Sequence, residues 1–309
     1  MKFLFIGLGS ISAKHIKDLA SVACERNCVC EITVLRRAIS NIPDDLKTYN
    51  IKQIIGLDET IYDAAFVTNP TTLHYNALEQ LKGKTKFYFI EKPIFESTKY
   101  DLGKLGISEN NAYVACPIRH SATYKKLKEI VDNNRIFNAR IICSSHLPEW
   151  RPNIDYRKNY SAIKALGGGV TLDLIHEIDY MIGLFGKPGQ VMNIHGKFSD
   201  LEIDSDDLSV YVAKYDDKIC EVHLDYFGRK YQRKCELFTS QGSYTADFKT
   251  ETIELPDGSV IKCDNGGKTN LYRETKYFFD FITGKALNNL NPPQLAFDVL
   301  RIALGESHE

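Results

Sequence analysis

The chain opens with an apolar run, KFLFI, that leads directly into a glycine-containing turn and then into an amphipathic stretch. Gly7 and Gly9 have the spacing of the turn between the first strand and helix of a dinucleotide-binding βαβ unit, with Ser12 at the third-glycine position. The first glycine permits a tight turn, and the second lets the backbone approach a pyrophosphate at the helix N-terminus. We therefore expect Gly7, Gly9, Ser10 and Ile11 to bind a dinucleotide; the alternative is an ordinary strand–turn–helix connection.

Strand-like runs alternate with helical patterns through the first third of the chain, in the order KFLFIG, EITVLRR, IKQIIG, AAFVTN, KFYFIEK and AYVACP. This alternation predicts a parallel sheet with right-handed crossovers. Beyond Phe137 the strand candidates lengthen and are separated by turn signals such as YDDK and LPDGS, which predicts a mostly antiparallel sheet. We predict an α/β protein with a doubly wound Rossmann domain over residues 1–118. A second α/β domain with a large open sheet would span residues 119–309.

Composition excludes several classes of partner. Lys and Arg number 39 and Asp and Glu 40, so there is no basic excess for a nucleic acid. No run approaches the roughly 18 apolar residues of a membrane span. The short N-terminal apolar run favours a buried strand over a signal peptide, so we expect a cytoplasmic protein with reduced cysteines. The cysteine spacing does not fit a zinc site, so we expect no metal.

The end of the second predicted strand bears on the choice of cofactor. A carboxylate at this place typically binds the adenosine ribose of NAD, but this strand ends in Arg36 and Arg37. A guanidinium pairs bidentately with a phosphate, so the two arginines favour NADP over NAD. A solvated basic turn is the alternative.

Three further motifs follow predicted strands or precede a predicted helix. They are FVTNPT at residues 66–71 with His74 close behind, FIEKP at residues 89–93, and GGG at residues 167–169 before DLIHEIDY at residues 173–180. Together with the glycine turn, they resemble the glucose–fructose oxidoreductase/inositol dehydrogenase (Gfo/Idh/MocA) family over nearly the whole chain. The resemblance implies a Rossmann domain, a second domain with an open sheet, and oxidation or reduction of a sugar or similar alcohol with NAD(P).

The resemblance also implies roles for individual residues in the first domain. Asn69, Pro70, His74, Glu91 and Lys92 would contact the cofactor, and the Lys92–Pro93 peptide bond would be cis. The family pattern further implies that a second subunit covers the open sheet, which makes a homodimer or homotetramer the expected assembly.

Catalysis would require a proton-transferring group beside the reacting hydroxyl. Lys92 follows the carboxyl end of a strand, where open α/β sheets bind ligands, and can hydrogen-bond the reacting oxygen. A histidine ordinarily titrates near neutral pH, so we assign proton transfer to His176, with Asp173 one helical turn earlier as its support. The family usually places the histidine four residues after the aspartate instead of three, which leaves Glu177 as an alternative partner.

The segment before the glycine triplet is rich in groups that suit a sugar. Trp and Tyr offer an apolar face with a polar tip, and Arg binds phosphate or carboxylate. The predicted substrate-binding residues are Arg119, Trp150, Arg151, Tyr156, Arg157 and Tyr160. An irregular surface loop is the alternative interpretation of this segment.

Three functions remain open from the sequence. The first is an NAD(P)-dependent dehydrogenase or reductase for a sugar or nucleotide sugar. The residues around the glycine triplet resemble those of family members associated with bacterial surface-sugar biosynthesis. The second is a glycosidase of the same superfamily that oxidises and re-reduces a tightly held NAD. The third is a dinucleotide-binding regulator without catalysis, which would not require Lys92, Asp173 and His176 together.

Overall fold

The computed structural model describes residues 1–151 and 153–306. Its α-helices are α1 Ser10–Glu25, α2 His74–Leu81, α3 Ala122–Asn133, α4 Val170–Asp173, α5 His176–Phe185, α6 Asn270–Ile282 and α7 Pro293–Ala303. Its strands are β1 Lys2–Ile6, β2 Glu31–Leu35, β3 Lys52–Ile54, β4 Tyr62–Val67, β5 Thr85–Ile90, β6 Ala112–Val114, β7 Ile136–His146, β8 Gln190–Gly196, β9 Leu208–Lys214, β10 Ile219–Asp225, β11 Phe227–Thr239, β12 Gly242–Asp247, β13 Thr252–Glu254 and β14 Val260–Lys262. No helix within these ranges is long and apolar enough to cross a membrane.

The first compact unit, residues 1–117 and 268–297, contains a six-stranded parallel sheet. Its strand order is β3-β2-β1-β4-β5-β6, the doubly wound order expected of a Rossmann domain. Four of the five residues of β1 are buried, because a parallel sheet is covered on both faces. The carboxyl ends of β1, β4 and β5 therefore meet at one edge of the sheet.

Aromatic rings fill one side of this sheet and bring the C-terminal part of the chain back to it. Phe66 on β4 stacks on Phe5 with ring centroids 4.5 Å apart and on Phe89 at 4.9 Å. Phe278 on α6 meets Phe66 edge-on at 5.4 Å. Burying a phenylalanine side chain contributes about 1.5–3 kcal/mol, which favours α6 in this unit. The expected continuous second domain over residues 119–309 was therefore wrong.

The second unit, residues 118–267 and 298–309, is built on an eight-stranded sheet. The strand order is β14-β13-β12-β11-β7-β10-β9-β8, and every neighbouring pair is antiparallel except β7 and β10. On one face, alternate residues such as Tyr211, Cys220 and Val222 are fully buried. The prediction of a large, mostly antiparallel sheet is confirmed.

The opposite face of the eight-stranded sheet carries exposed apolar side chains near its β8 edge. Met192 and Ile194 on β8 are 64% and 68% exposed, and Val212 on β9 is 41% exposed. Met192 lies directly opposite Val212 in the ladder, so the three side chains share one face. We call these three residues the open-face patch.

The helix predicted after the glycine triplet is interrupted. Leu174 leaves helical geometry at φ −97° and ψ 25°, which separates α4 from α5. The amide of Glu177 then bonds the carbonyl of Leu174, three residues back, at 3.2 Å. Asp173 therefore ends α4 and His176 begins α5, so the two residues do not share one continuous helix.

Candidate active site

The glycine turn after β1 has the geometry that a pyrophosphate requires. Gly7 has φ +89°, a conformation that glycine adopts without strain. No side chain caps the start of α1 at Gly9, and a Cβ added to Gly9 would meet no atom within 4 Å. The first turn of a 16-residue helix therefore faces open space with its backbone amides.

A cavity of about 940 Å³ lies beside this turn. Its lining residues are Ile6, Gly7, Leu8, Gly9, Leu35, Arg36, Arg37, Ile55, Gly56, Leu57, Thr68, Asn69, Pro70, Leu73, Asn76, Ala77, Gln80 and Lys84. Among these residues are three cations and no carboxylate. The buried Oδ1 of Asn69 has no hydrogen-bond partner within the described ranges. The volume, the cationic lining and the unused acceptor fit a phosphate-containing dinucleotide.

Ser12 explains why the third glycine of the turn is dispensable. Its hydroxyl lies 2.7 Å from that of Thr68, which donates to the carbonyl of Ile6 at 3.1 Å. Both hydroxyls are buried, so each needs such a partner. A serine here therefore ties α1 to the loop after β4, a hydrogen bond that the spacing of the motif does not reveal.

His74 connects the loops that follow β4 and β5. Its ring is buried, with Nε2 3.0 Å from the carbonyl of Asn69 and Nδ1 3.1 Å from that of Ile94. Burial lowers the pKa of His74, so the neutral ring donates to one carbonyl at a time. His74 does not line the cavity, and in this structure it joins the loop after β4, which does, to the loop after β5.

The carboxyl end of β5 carries Glu91 and Lys92. The Lys92–Pro93 peptide bond is cis, as the resemblance implied. One oxygen of Glu91 lies 2.6 Å from Nε2 of His15, and the other accepts the Lys92 amide at 3.2 Å. Burial alone would raise the pKa of Glu91, but the hydrogen bond and charge of His15, together with Lys92, bring it below its ordinary value.

In the second unit, Asp173 belongs to a polar and aromatic cluster. The hydroxyl of Tyr226 donates to Asp173 Oδ2 at 2.7 Å. Burial, reinforced by the adjacent Asp173 carboxylate, raises the pKa of Tyr226 well above its usual value, so the phenol stays protonated. Trp150 meets Tyr226 edge-on at 5.2 Å and donates from Nε1 to Ser145 at 3.0 Å. Tyr226 thus contacts both Trp150 and Asp173, two of the predicted site residues.

The glycine triplet is required by close packing before α4. A Cβ at Gly168 would lie 2.2 Å from the carbonyl oxygen of Tyr160. A Cβ at Gly169, whose φ is +125°, would lie 2.0 Å from Oδ1 of Asp206. Asp206 in turn accepts hydrogen bonds from the amide and hydroxyl of Thr171 at 3.0 Å and 2.6 Å. The triplet therefore lets Asp206 cap the helix that presents Asp173.

Several predicted substrate-binding residues bind other groups of the second unit in this structure. Arg157 pairs with Asp155 at 2.8 Å and with Glu202 at 3.0 Å. The hydroxyl of Tyr156 accepts the amide of Glu202 at 3.1 Å. These contacts hold the segment before the glycine triplet and give Arg157 two carboxylate partners, so ligand binding by Arg157 stays a prediction.

Tyr160 and Arg151, in the same segment, have different surroundings. The hydroxyl of Tyr160 donates to the carbonyl of Gly167 at 2.8 Å, which closes the loop on the glycine triplet. Arg151 is exposed. Of the predicted residues of this loop, Trp150 and Arg151 are therefore the ones whose position best suits contact with a ligand.

Comparison with known proteins identifies the chain's relatives. It is 24% identical to the uncharacterized oxidoreductase YrbE of Bacillus subtilis, over 84% of this chain and 77% of the relative. It is 23% identical to the myo-inositol 2-dehydrogenase of Thermotoga maritima, over 91% and 83% respectively. Residues 124–245 match the model of the GFO/IDH/MocA C-terminal domain. By these matches the chain resembles the Gfo/Idh/MocA family of oxidoreductases, and its second unit carries the match to that family's C-terminal domain.

Solved structures of similar fold extend over the whole chain. An oxidoreductase from Thermotoga maritima superposes with a TM-score of 0.81 at 18% identity, covering 100% of this chain and 96% of its own. The UDP-N-acetylglucosamine 3-dehydrogenase GnnA of Acidithiobacillus ferrooxidans gives 0.77 at 16%, covering 99% and 96%. A levoglucosan dehydrogenase in complex with NADH and levoglucosan gives 0.79 at 14%, covering 99% and 95%. At these identities the likeness establishes the fold.

Glu177, the alternative partner of Asp173, has a structural role. Glu177 is fully buried on α5, and its carboxylate lies 2.8 Å from Nε of Arg233 on β11. A buried carboxylate needs such a partner, and Arg233 supplies it across the helix–sheet interface. The pair joins α5 to the sheet, which argues against the hypothesis that Glu177 takes part in proton transfer.

Arg119, a predicted substrate-binding residue, forms a buried ion pair. Its Nε lies 2.9 Å from Oδ2 of Asp179, and a terminal nitrogen lies 2.9 Å from Oδ1. The same terminal nitrogen also donates to the main-chain carbonyl of Asp179 at 2.8 Å. Burial raises the pKa of Asp179, and Arg119 opposes that rise. These contacts commit Nε and one terminal nitrogen of Arg119 to Asp179 inside the second unit, and substrate binding by Arg119 stays a prediction.

We predict that Arg119→Met lowers the free energy of unfolding by about 3–5 kcal/mol, because it leaves the carboxylate of Asp179 buried without its partner. Urea unfolding followed by circular dichroism measures the loss. The double variant Arg119→Met/Asp179→Leu should recover most of it, since an apolar pair of similar size replaces a buried ion pair at little cost. Wild-type stability in the single variant would contradict this role of Arg119.

Proposed function

We propose that this protein is an NAD(P)-dependent oxidoreductase that transfers a hydride between nicotinamide and a hydroxyl or ketone of a sugar or nucleotide sugar. The observation that carries the proposal is the cation-lined cavity of about 940 Å³ beside the glycine turn. The relatives and fold neighbours support the reaction class, since they include inositol, UDP-N-acetylglucosamine and levoglucosan dehydrogenases. A role in bacterial surface-sugar biosynthesis is the pathway that this substrate class favours.

Different residues around the cavity would contact different parts of the cofactor. The amides of Gly9, Ser10 and Ile11 would hold the pyrophosphate at the start of α1. Arg36 and Arg37 would hold the adenosine ribose end. Asn69 and Pro70 would contact the cofactor from the loop after β4. When bound, the nicotinamide supplies or accepts the hydride of the reaction.

The chain's own side chains would handle the proton. We assign to Lys92 Nζ a hydrogen bond to the reacting oxygen, and to His176 the transfer of the hydroxyl proton. Asp173, held by the hydroxyl of Tyr226 at 2.7 Å, would orient the substrate hydroxyl. The Trp150 ring in the same cluster offers the apolar face on which a sugar ring stacks.

A panel assay tests the proposal. Purified protein is mixed with NADPH or NADH and a panel of sugars and nucleotide sugars, in both reaction directions, and nicotinamide absorbance is followed. Turnover with at least one member supports the proposal. Cofactor that co-purifies, with sugar release and no net change in nicotinamide, would instead indicate the glycosidase. Dinucleotide binding without any reaction would indicate the regulator.

The cofactor preference is tested by removing the cationic lining. Arg36 and Arg37 line the cavity, and Arg36 is oriented by a 3.0 Å hydrogen bond to Gln53. We expect calorimetry to show that wild-type protein binds NADPH more tightly than NADH. Arg36→Ala/Arg37→Ala should weaken NADPH binding about 10- to 100-fold, the value of a charge-assisted phosphate contact, and change NADH binding little.

Lys14→Ala/Lys125→Ala is the matched control for net charge, because it also removes two positive charges. Lys14 on α1 and Lys125 on α3 are exposed, and neither lines the cavity. This control should leave both affinities near the wild-type values. Equal or tighter binding of NADH by the wild type would refute the preference for NADP.

The catalytic assignment predicts losses of rate with binding intact. Lys92→Ala and His176→Ala should each lower kcat about 10²–10⁴-fold, the usual contribution of a positioned acid–base group. Asp173→Asn should cost less, because it retains the shape of an orienting group. Dinucleotide affinity, measured by calorimetry, should persist in all three.

His195→Ala serves as the histidine control, since His195 is exposed on β8. Unchanged kcat in His176→Ala, together with its loss in Glu177→Gln at wild-type stability, would transfer the role to Glu177. Unchanged kcat in Lys92, Asp173 and His176 variants would refute the assignment as a whole.

The open-face patch predicts the assembly. An exposed apolar group of this kind on a sheet favours coverage by a second copy, so we propose a homodimer or homotetramer packed through this face. Light scattering at micromolar concentration should give a multiple of 35.1 kDa. Ile194→Glu/Val212→Glu should shift the protein toward the monomer, and Ile61→Glu, at a residue 50% exposed in the first unit, should not. A monomeric wild type would overturn the proposal.

A further inference from the structure

His15 and Glu91 form a buried pair whose role the proposed chemistry does not use. His15 lies on α1 and is fully buried, and its Nε2 is 2.6 Å from Glu91 at the end of β5. A buried polar pair of this kind requires both members, because either one alone would lose its partner away from water. The pair therefore joins the first helix to the strand end that carries Lys92.

The ring of His15 is fixed on every side that the structure describes. It lies edge-on to Phe89 at 4.8 Å and tilted against Phe66 at 5.8 Å. Its second nitrogen, Nδ1, is 3.3 Å from the hydroxyl of Thr275 on α6. Because the ring is enclosed, His15 cannot touch a ligand, so any part that it plays in the reaction must act through Glu91.

The direction of the hydrogen bond follows from the charge of Glu91. The pKa of this carboxyl lies below its ordinary value, so at neutral pH it is an acceptor only. Nε2 of His15 must then carry the hydrogen that points to Glu91. A side-chain amide can supply the same donor, which makes glutamine the conservative replacement.

Glu91 also forms a hydrogen bond with the main chain of Lys92. Its other oxygen accepts the Lys92 amide at 3.2 Å, and its own amide bonds the carbonyl of Val67 on β4 at 3.0 Å. The carboxylate thus binds a buried ring on one side and the backbone of the next residue on the other. Displacing it would free the amide at the point from which the Lys92 side chain emerges.

We propose that His15 is a positioning residue for Lys92, acting through its buried hydrogen bond to Glu91. The proposal rests on the function proposed above, because it assigns the purpose of the pair to the placement of Lys92 during hydride transfer. It adds a residue on α1, outside the cavity lining, to those that determine the rate.

Three variants test the proposal. His15→Leu keeps an apolar shape and removes the donor, His15→Gln keeps a donor, and Ile16→Val is a control at the adjacent buried position on the same helix. We expect His15→Leu to lower kcat about 10- to 100-fold with KM for dinucleotide and sugar changed less than threefold, as for a misplaced catalytic group. His15→Gln should recover kcat to within about threefold of wild type, and Ile16→Val should match wild type.

Amide hydrogen exchange gives a second readout that needs no substrate. In His15→Leu the Lys92 amide should exchange at least about tenfold faster than in wild type, because its carboxylate acceptor is no longer held. In His15→Gln and Ile16→Val it should stay protected. If His15→Leu fails to fold, Glu91→Leu, which removes the acceptor, is expected to give the same faster exchange and lower kcat.

The outcomes separate this proposal from the proposed function. Wild-type kcat and Lys92 protection in His15→Leu would overturn the positioning role, as would equal losses in His15→Leu and His15→Gln. Absence of turnover by the wild-type protein on the whole panel, with Lys92 exchange changing as expected, would refute the function and leave the linkage from His15 to Lys92 in place.

Discussion

The packing of Phe66 determines much of the first unit. Its ring stacks on Phe5 and Phe89, receives Phe278 edge-on and lies against the imidazole of His15. One side chain at the centre of the parallel sheet thus connects the strand before the glycine turn, the strand before Lys92, and helix α6. Because interiors are close-packed, a change in this ring would be transmitted to both loops at the carboxyl edge of the sheet.

Local patterns were sufficient where each residue's environment is set by its near neighbours. The run KFLFI predicted a buried strand because a parallel strand is apolar on both faces. Gly7 predicted a tight turn because glycine adopts a positive φ without strain, and its φ in the structure is positive. The cis bond before Pro93 agrees with the family resemblance. The glycine triplet also marked the start of the helix that carries Asp173. Glycine is needed there because the Tyr160 carbonyl and the Asp206 side chain approach the triplet closely, and the local sequence does not reveal these contacts.

The sequence left open whether a given polar side chain binds a ligand or the protein itself. Arg119 and Arg157 have the donors that suit an anion, and residue type alone cannot reveal that Asp179 and Glu202 are folded against them. The break between Asp173 and His176 was missed because apolar periodicity continues through Leu174. Tyr226 and His15 were missed because each has its partner 53 or 76 residues away, a separation that no local motif encodes.

The return of α6 to the first unit has a consequence for how the chain is made. Residues 268–297 are synthesised only after the whole of 118–267, which takes roughly 8–30 seconds on a ribosome. Until then the nascent parallel sheet lacks Phe278, so the ring surfaces of Phe66 and Phe89 that Phe278 contacts in the folded protein remain uncovered. The second unit's main segment therefore leaves the ribosome before the first unit can finish folding. For the same reason, no single continuous fragment ending near residue 117 contains the complete unit built on the parallel sheet.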